Sequence, residues 1–337
     1  MSRIRVAVTG SGGGVGQSII KSLQNTDYEV VALDGDVLAT GLYAASRSHI
    51  IPYSNRPEYI ESLIDICQAN DCKVLFPALD AESAILSKNI DASKNAGIKV
   101  IVSSEDVIEI SNDKMKTFTE LIKLGVEVPT TIDLENTSVH DVDLEFPFVL
   151  KERRDGARSQ NLYIVKNKEE VQSLVDRSVD FTKYIAQEYI EGDEYTCGSI
   201  NLDGECKGVI VMRRILRDGD TYKAFSVKDA TIEEAVRKVT NGIKPFGACN
   251  IQLRVRDGKV YIIEINARCS GTTASRSLCG FNEPKMILDY ITRGIEPAYE
   301  IKEQTILRYW NELVVSNEQV DTLKRDKTIS SEGHASL

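Results

Sequence analysis

A chain of 337 residues has room for about two domains, each able to bury a core. Its formal net charge of −10 argues against nucleic acid or an anionic membrane as the main partner, and no long apolar run follows a basic start, so neither a secretion signal nor a membrane span is expected. Seven cysteines without a CxxC pair and only three histidines give no disulfide framework, zinc ribbon or Ser-His-Asp triad, so a cytoplasmic protein is expected whose chemistry runs on Lys, Arg, carboxylates and amides.

Residues 1–108 alternate apolar strands, at 4–8, 30–33, 74–76 and 100–102, with segments of helical spacing. Such alternation predicts a parallel sheet covered by helices on both faces. The first strand runs into the glycine loop Gly10-Ser11-Gly12-Gly13-Gly14-Val15-Gly16, which opens a helix, and Asp34 ends the next strand about 20 residues on. Bare amides at a helix start attract anions, so Gly12 and Gly13 are candidates for holding a substrate carboxylate or phosphate; a tight turn needing close packing is the plainer alternative. The same loop suits a nicotinamide-dependent enzyme. That rival lacks its usual Tyr-x-x-x-Lys pair, because none of the thirteen tyrosines has a lysine four positions later. Asp80 and Glu82 lie just past the strand at 74–76, where open parallel sheets present ligand groups. Helix capping by Asp80 explains them equally well.

Residues 111–124 read as one amphipathic helix, closed by Gly125 and stopped by Pro129. From residue 146 onward the pattern changes to strands joined through short turns at Asp203-Gly204, Asp218-Gly219 and Asp257-Gly258, which predicts mostly antiparallel pairing. Helices at 168–180 and 231–244 pack on those sheets, and after residue 315 the chain turns polar and reads as a mobile tail.

The densest chemistry lies in the last of these hairpins. Asn250-Ile251-Gln252-Leu253-Arg254 and Glu264-Ile265-Asn266-Ala267-Arg268 both alternate polar and apolar residues, so Gln252, Glu264, Asn266 and Arg268 converge on one surface. Two amide oxygens and a carboxylate are hard ligands that suit Mg²⁺, which takes its remaining ligands from water and phosphates. An arginine beside them can hold a transferring phosphoryl group by paired hydrogen bonds. A merely solvated strand face is the alternative for any one of them.

This hairpin resembles the metal-binding end of the ATP-grasp superfamily, in particular one synthetase unit of the carbamoyl-phosphate synthase large chain. The likeness extends in chain order to SGGGVGQSII, SNDKMKTFTELIKLGVEVPTT, FPFVLKERRDGARSQN and QEYIEGDEYT, most of residues 1 to 300. The resemblance implies a Rossmann-like α/β domain at 1–108, then an α+β ATP-grasp domain with a lid subdomain at 109–187 and a metal-bearing subdomain at 188–315, and a tail at 316–337. It further implies an ATP- and Mg²⁺-dependent ligase, with Mn²⁺ able to substitute, that activates a small-molecule carboxylate as an acyl phosphate and joins it to an amine or similar nucleophile. Gln252, Glu264 and Asn266 would hold the metal, and Arg268, Asn266 and Lys151 would serve catalysis. Lys114 and Lys151 would contact nucleotide phosphates beneath a loop containing Gly156, Arg158 and Ser159, a loop that departs from the family pattern in its single glycine and extra arginines. Gln187, Glu188, Tyr189 and Ile190 would pass behind adenine, and Glu194 would bind the ribose hydroxyls. Arg213, Arg214 and Ser270 join Gly12, Gly13, Asp80 and Glu82 as candidate substrate contacts. Ala267 stands where many relatives have proline, which removes no ligand. The chain holds one such unit where carbamoyl-phosphate synthesis needs two. A homodimer is compatible with the family, and three readings remain open: ligase, nicotinamide enzyme, or nucleotide-binding subunit without catalysis.

Overall fold

A computed structural model describes residues 3–154 and 161–330. The chain begins β1 (Ile4–Val8), α1 (Gly14–Leu23), β2 (Tyr28–Asp34), α2 (Thr40–Ala44), β3 (Arg47–Ile50), α3 (Tyr59–Ala69), β4 (Cys72–Phe76), α4 (Asp80–Lys88), α5 (Ile90–Asn95) and β5 (Lys99–Val100). Strands β3, β2, β1, β4 and β5 lie side by side in that order, each pair parallel. The order reverses direction at β1. Both the glycine loop after β1 and the segment after β4 therefore open at the carboxyl end of the sheet, where such folds bind ligands.

Helices α6 (Glu105–Asn112) and α7 (Lys114–Lys123) follow. The single helix expected at 111–124 is thus divided at Asp113, whose carboxylate accepts the Met115 and Lys116 amides and caps α7. Then come β6 (Thr131–Asp133), β7 (Phe148–Glu152), β8 (Tyr163–Val165), α8 (Lys168–Asp176) and β9 (Tyr184–Glu188), whose strands form an antiparallel sheet in the order β6-β9-β7-β8.

The third sheet is built from β10 (Asp193–Leu202), β11 (Glu205–Arg217), β12 (Asp220–Val227), β13 (Gly247–Arg256) and β14 (Lys259–Asn266), with α9 (Ala230–Ile243) packed on it. Its three hairpins turn at Asp203-Gly204, Asp218-Gly219 and Asp257-Gly258, all six residues having φ between 53° and 79°. Asp tolerates that left-handed conformation and glycine adopts it freely, which is why Asp-Gly makes two-residue hairpin turns. Helices α10 (Thr273–Leu278) and α11 (Glu283–Arg293) lead to β15 (Thr305–Leu307), which pairs with β12 to complete the antiparallel order β14-β13-β10-β11-β12-β15.

A polar tail from 316 is corrected by the structure. Residues here form α12 (Asn317–Asp326) and β16 (Thr328–Ser330), and β16 pairs antiparallel with β3 at the edge of the first sheet. Ser316 and Gln319 make a capping box, and Leu323 is fully buried, a burial worth roughly 1.5–3 kcal/mol. Two apolar residues, Val320 and Leu323, on a charged helix are too sparse a stripe to stand out in composition.

One core joins the first and third sheets, with Val6, Val8, Ile20 and Phe76 packed with Ile200, Ile210, Phe281 and Ile287. The Ser18 hydroxyl donates to the Gly271 carbonyl at 2.9 Å, and the Tyr28 hydroxyl donates to Asp289 at 2.8 Å. All seven cysteines are free thiols, six of them buried. Among the described residues no helix is long and apolar enough to cross a membrane.

Candidate active site

Register decides which side chains share a face. Gln252 on β13 lies directly opposite Glu264 on β14, and Asn250 opposite Asn266, with the unpaired Ile263 between Glu264 and Ile262 forming a bulge. Across the other edge of β13, Thr196 pairs with Gln252 and Glu194 with Arg254, while Arg214 on β11 faces Glu194. Alternation therefore puts Glu194, Thr196, Arg214, Asn250, Gln252, Arg254, Glu264 and Asn266 on one side of the sheet.

These groups differ in how far they are already engaged. Glu194 accepts two bonds from Arg214, at 3.0 Å and at 2.5 Å, and one from Arg254 at 2.8 Å. Burial opposes its ionisation, but the two guanidiniums win and hold the carboxyl below its usual range. Arg214 also donates to Gln252 Oε1 at 2.7 Å, and Arg254 donates to the Ile190 carbonyl at 2.9 Å and lies over the Tyr189 ring. Glu264, in contrast, has no hydrogen bond or ion pair among the described residues. Of the three expected metal ligands, the structure leaves Glu264 open and Asn266 touched only by Arg268 at 3.3 Å, while the Gln252 oxygen is held by Arg214. No group of three His, Cys, Asp or Glu side chains is gathered among the described residues. An unpartnered carboxylate beside an amide oxygen fits a cation that draws most of its ligands from water and phosphate.

Lys151 ends an apolar run on β7 and is 7% exposed, with its ammonium 5.6 Å from the centre of the Phe118 ring on α7. Burial pushes its pKa down to about 7, the charge of Lys114 adds to that shift, and Glu264 and Glu194 oppose it. Lys114 starts α7 one turn before Phe118, and its amide donates to the Arg153 carbonyl at 3.1 Å. Two lysines far apart in sequence, Lys151 buried and Lys114 half-buried, therefore lie near enough to each other and to Glu264 and Glu194 for their charges to interact.

The neighbouring arginines are arranged otherwise. Arg153 makes a bidentate pair with Asp113 at 2.9 Å and reaches Asp133 and Glu135, and Arg154 bonds Glu109 and Asp113. Both are balanced by carboxylates, so these two of the extra arginines near the loop are already committed within the chain. Gly156, Arg158 and Ser159 lie outside the described residues.

At the expected adenine hinge, Gln187 is buried and donates to Thr131 Oγ1 at 2.9 Å, and Glu188 accepts from Arg256 and from the Thr130 amide. Both side chains are thus tied into the sheet. Any adenine contact here falls to main-chain groups near Tyr189 and Ile190.

Arg268 forms a bidentate pair with Asp80, at 2.6 and 2.7 Å, joining the end of β14 to the start of α4. Asp80 does not cap α4. Glu82 does so, accepting the Leu79 amide at 3.2 Å and the Thr9 hydroxyl at 2.6 Å, and it is buried, so burial pushes its carboxyl up. Glu82 is therefore a structural residue rather than an open substrate contact. Arg213 points to the opposite face of the sheet, 3.6 Å from Asp193 and against the Phe225 ring, and does not join the site. Arg214 joins it, but as the partner of Glu194 and Gln252. Ser270 is buried, with its hydroxyl bonded to Thr272.

In the glycine loop, the Gly12 amide donates to the Asp34 carboxylate at 2.8 Å and the Gly13 amide to the Gly10 carbonyl at 3.0 Å. The expected anion site at Gly12 and Gly13 is filled from within the chain. Asp34, which a nicotinamide enzyme would turn to the ribose hydroxyls, is held by the loop and by the Asp36 amide. The packing reading of the loop also has direct support: a Cβ on Gly16 would stand 2.3 Å from the Gly10 carbonyl oxygen.

Two parts of the site escaped sequence reasoning. Arg254 was legible, since it shares the alternation of Asn250 and Gln252. The fully buried pair Arg276 and Glu283, with Arg276 bonded to Thr196 and Asn250, has no local signal beyond two charges on short helices.

Comparison with known proteins matches residues 111–272 to an ATP-grasp domain and residues 6–101 to a PylC-like N-terminal domain. The carbamoyl phosphate synthase large chain of Thermoplasma volcanium is 24% identical over 283 residues, covering 76% of this chain and 26% of that one. Phosphoribosylaminoimidazole carboxylase of Saccharomyces cerevisiae is 26% identical, covering 76% of this chain and 46% of that one. The chain thus spans about a quarter to a half of the length of these relatives. Among solved structures, N5-carboxyaminoimidazole synthetase from Staphylococcus aureus complexed with ADP superposes with a TM-score of 0.73 at 18% identity, over 96% of this chain and 85% of that one. L-amino acid ligase from Bacillus licheniformis superposes with a TM-score of 0.67 at 16% identity, over 88% and 76%. These likenesses establish the fold, a parallel-sheet N-terminal region followed by antiparallel sheets. The matched regions give this chain an ATP-grasp domain preceded by a PylC-like N-terminal domain, in the order shared with these relatives.

Proposed function

We propose that this protein is an ATP- and Mg²⁺-dependent ligase that activates a small-molecule carboxylate as an acyl phosphate and joins it to an amine or a similar nucleophile. The observation that carries the reading is the buried Lys151, with Lys114 and the carboxylates of Glu264 and Glu194 near enough to act on its charge, and with Glu264 free of any ion pair among the described residues. A lysine kept among apolar groups without a carboxylate partner is unfavourable unless an anion completes it, and a nucleotide triphosphate with its metal supplies both missing charges.

In this reading Glu264 and Asn266 would hold Mg²⁺, whose charge would lower the repulsion between the phosphates and the incoming carboxylate. Lys114 and Lys151 bind the remaining phosphate charge. Glu194, aimed by Arg214 and Arg254, accepts the ribose hydroxyls. The bidentate geometry that Arg268 now gives to Asp80 is the same geometry a phosphoryl group requires, so release from Asp80 frees it for the group in transfer. Positioning and charge neutralisation are the whole of the enzyme's contribution, because phosphoryl transfer asks for little covalent chemistry from the protein. The substrates are small molecules, the compartment is the cytoplasm, and the assembly compatible with this reading is a homodimer.

The test is ADP release with Mg-ATP and a panel of amino acids and small acids. A particular acid and amine pair that stimulates release, with loss of release in Glu264→Gln, supports the ligase. Nucleotide binding without turnover by any pair leaves a binding subunit and rejects catalysis.

A further inference from the structure

Farther along the same face, the chain buries a charge pair that no step above uses. Arg276 on α10 and Glu283 at the start of α11 are both 0% exposed and meet at 2.8 Å. The Arg276 guanidinium also donates to Thr196 Oγ1 at 3.1 Å and to Asn250 Oδ1, while the Thr196 hydroxyl donates to that same Asn250 oxygen at 2.8 Å. Arg276 Nε has no hydrogen-bond partner among the described residues. Thr196 stands directly opposite Gln252, and Asn250 directly opposite Asn266. One guanidinium thus grips two adjacent strands at the residues paired with Gln252 and with the proposed metal ligand Asn266.

Space for this pair is built into the backbone. Gly198 lies on β10 opposite Asn250, and a Cβ there would stand 2.3 Å from Glu283 Oε1 and 2.5 Å from Arg276 Nη1. A buried ion pair with an unsatisfied donor is a poor way to gain stability, since apolar side chains of similar volume commonly serve as well or better. What it supplies that apolar packing does not is direction: hydrogen bonds fix the strands laterally, where dispersion contacts tolerate sliding.

We propose that Arg276, neutralised by Glu283, is a positioning residue for the divalent cation: through Thr196 and Asn250 it fixes β10 and β13 so that Asn266 and Glu264 on β14 present their oxygens together. The inference rests on the ligase reading given above. Arg276 touches neither cation nor substrate. It acts through the amide and hydroxyl that it holds.

The experiment compares the wild-type chain with the double variant Arg276→Met/Glu283→Met and with Thr196→Val. Mn²⁺ binding is measured by electron paramagnetic resonance at saturating ATPγS, and thermal midpoints are recorded alongside. Replacing both charges together leaves no orphaned ion, so the double variant is expected to fold with a midpoint near that of the wild type. Its dissociation constant for Mn²⁺ is expected to rise about 10- to 100-fold, the usual consequence of losing a group that orients metal ligands. Thr196→Val keeps the ion pair and removes one of its contacts, and a rise of about threefold is expected. It supplies the answer if the double variant does not fold. Unchanged Mn²⁺ affinity in a folded double variant, or in Thr196→Val where the double variant is unfolded, overturns the positioning role while leaving the ligase reading intact. A wild-type protein that binds no Mn²⁺ with ATPγS overturns the ligase reading and this inference together.

Discussion

The glycine loop after β1 and the polar face of β10, β13 and β14 are both rich in groups able to bind ions, but they differ in how many of those groups are left open. In the loop, Gly12 is satisfied by Asp34 and Gly13 by Gly10, and Gly16 is required by a close approach of backbone to backbone. On the sheet face, Lys151 is buried and Glu264 is near enough to act on its charge, yet neither makes an ion pair among the described residues. Polar groups buried in a folded protein are normally paired, so the region where pairing is incomplete is the better candidate for a ligand. A motif shows which groups are present; only their partners show which remain available.

The comparison is most easily broken at Glu264. Glu264→Gln keeps shape and removes charge, and ADP release is expected to fall by about 100-fold or more, as when a group stabilising transition-state charge is lost. Retention of full activity would place the cation elsewhere. Next is Lys151→Met, for which two effects of opposite sign are expected: the thermal midpoint rises because a buried charge is gone, and the KM for ATP rises about tenfold or more. A fall in both stability and affinity would instead mean that Lys151 is a structural residue.

The same lysine makes a pH signature. Its pKa is about 7 in the folded chain against 10.5 when free, so between those values the unfolded chain binds more protons and stability rises with pH. The destabilisation is fully present below pH 7 and is relieved as pH rises. In Lys151→Met that slope is expected to disappear from thermal melts run between pH 7 and pH 10. Nucleotide phosphates restore the charged form, so ATP binding above pH 7 is expected to take up close to one proton, seen by calorimetry in buffers of different ionisation enthalpy.

The smallest effect sharpens the other side of the comparison. Asp34→Asn weakens two bonds to backbone amides and is expected to lower stability by about 1 kcal/mol while leaving ADP release unchanged. NAD(P) is expected to give no thermal shift, since a ligand raises the midpoint only if it binds the folded state. A clear shift with NAD(P), abolished by Asp34→Asn, would reverse the roles of the two regions.

What the sequence determined by itself was everything that depends on period and local turn chemistry. Strand and helix alternation predicted the parallel sheet, Asp-Gly pairs located the three hairpins, and strict alternation in β13 and β14 put Gln252, Glu264 and Asn266 on one face. The order of motifs along the chain was enough to suggest its family. Tertiary structure alone decided which of those groups were already committed: Arg153 and Arg154 to Asp113, Gln252 to Arg214, Arg268 to Asp80, Glu82 to Thr9 and Leu79. It also decided the return of β16 to the first sheet and the buried contact of Arg276 with two strands. Backbone periodicity is set by neighbours a few residues away, whereas a hydrogen bond or ion pair joins residues tens to hundreds of positions apart. Its existence depends on distance and exclusion of water, which exist only once the chain has packed.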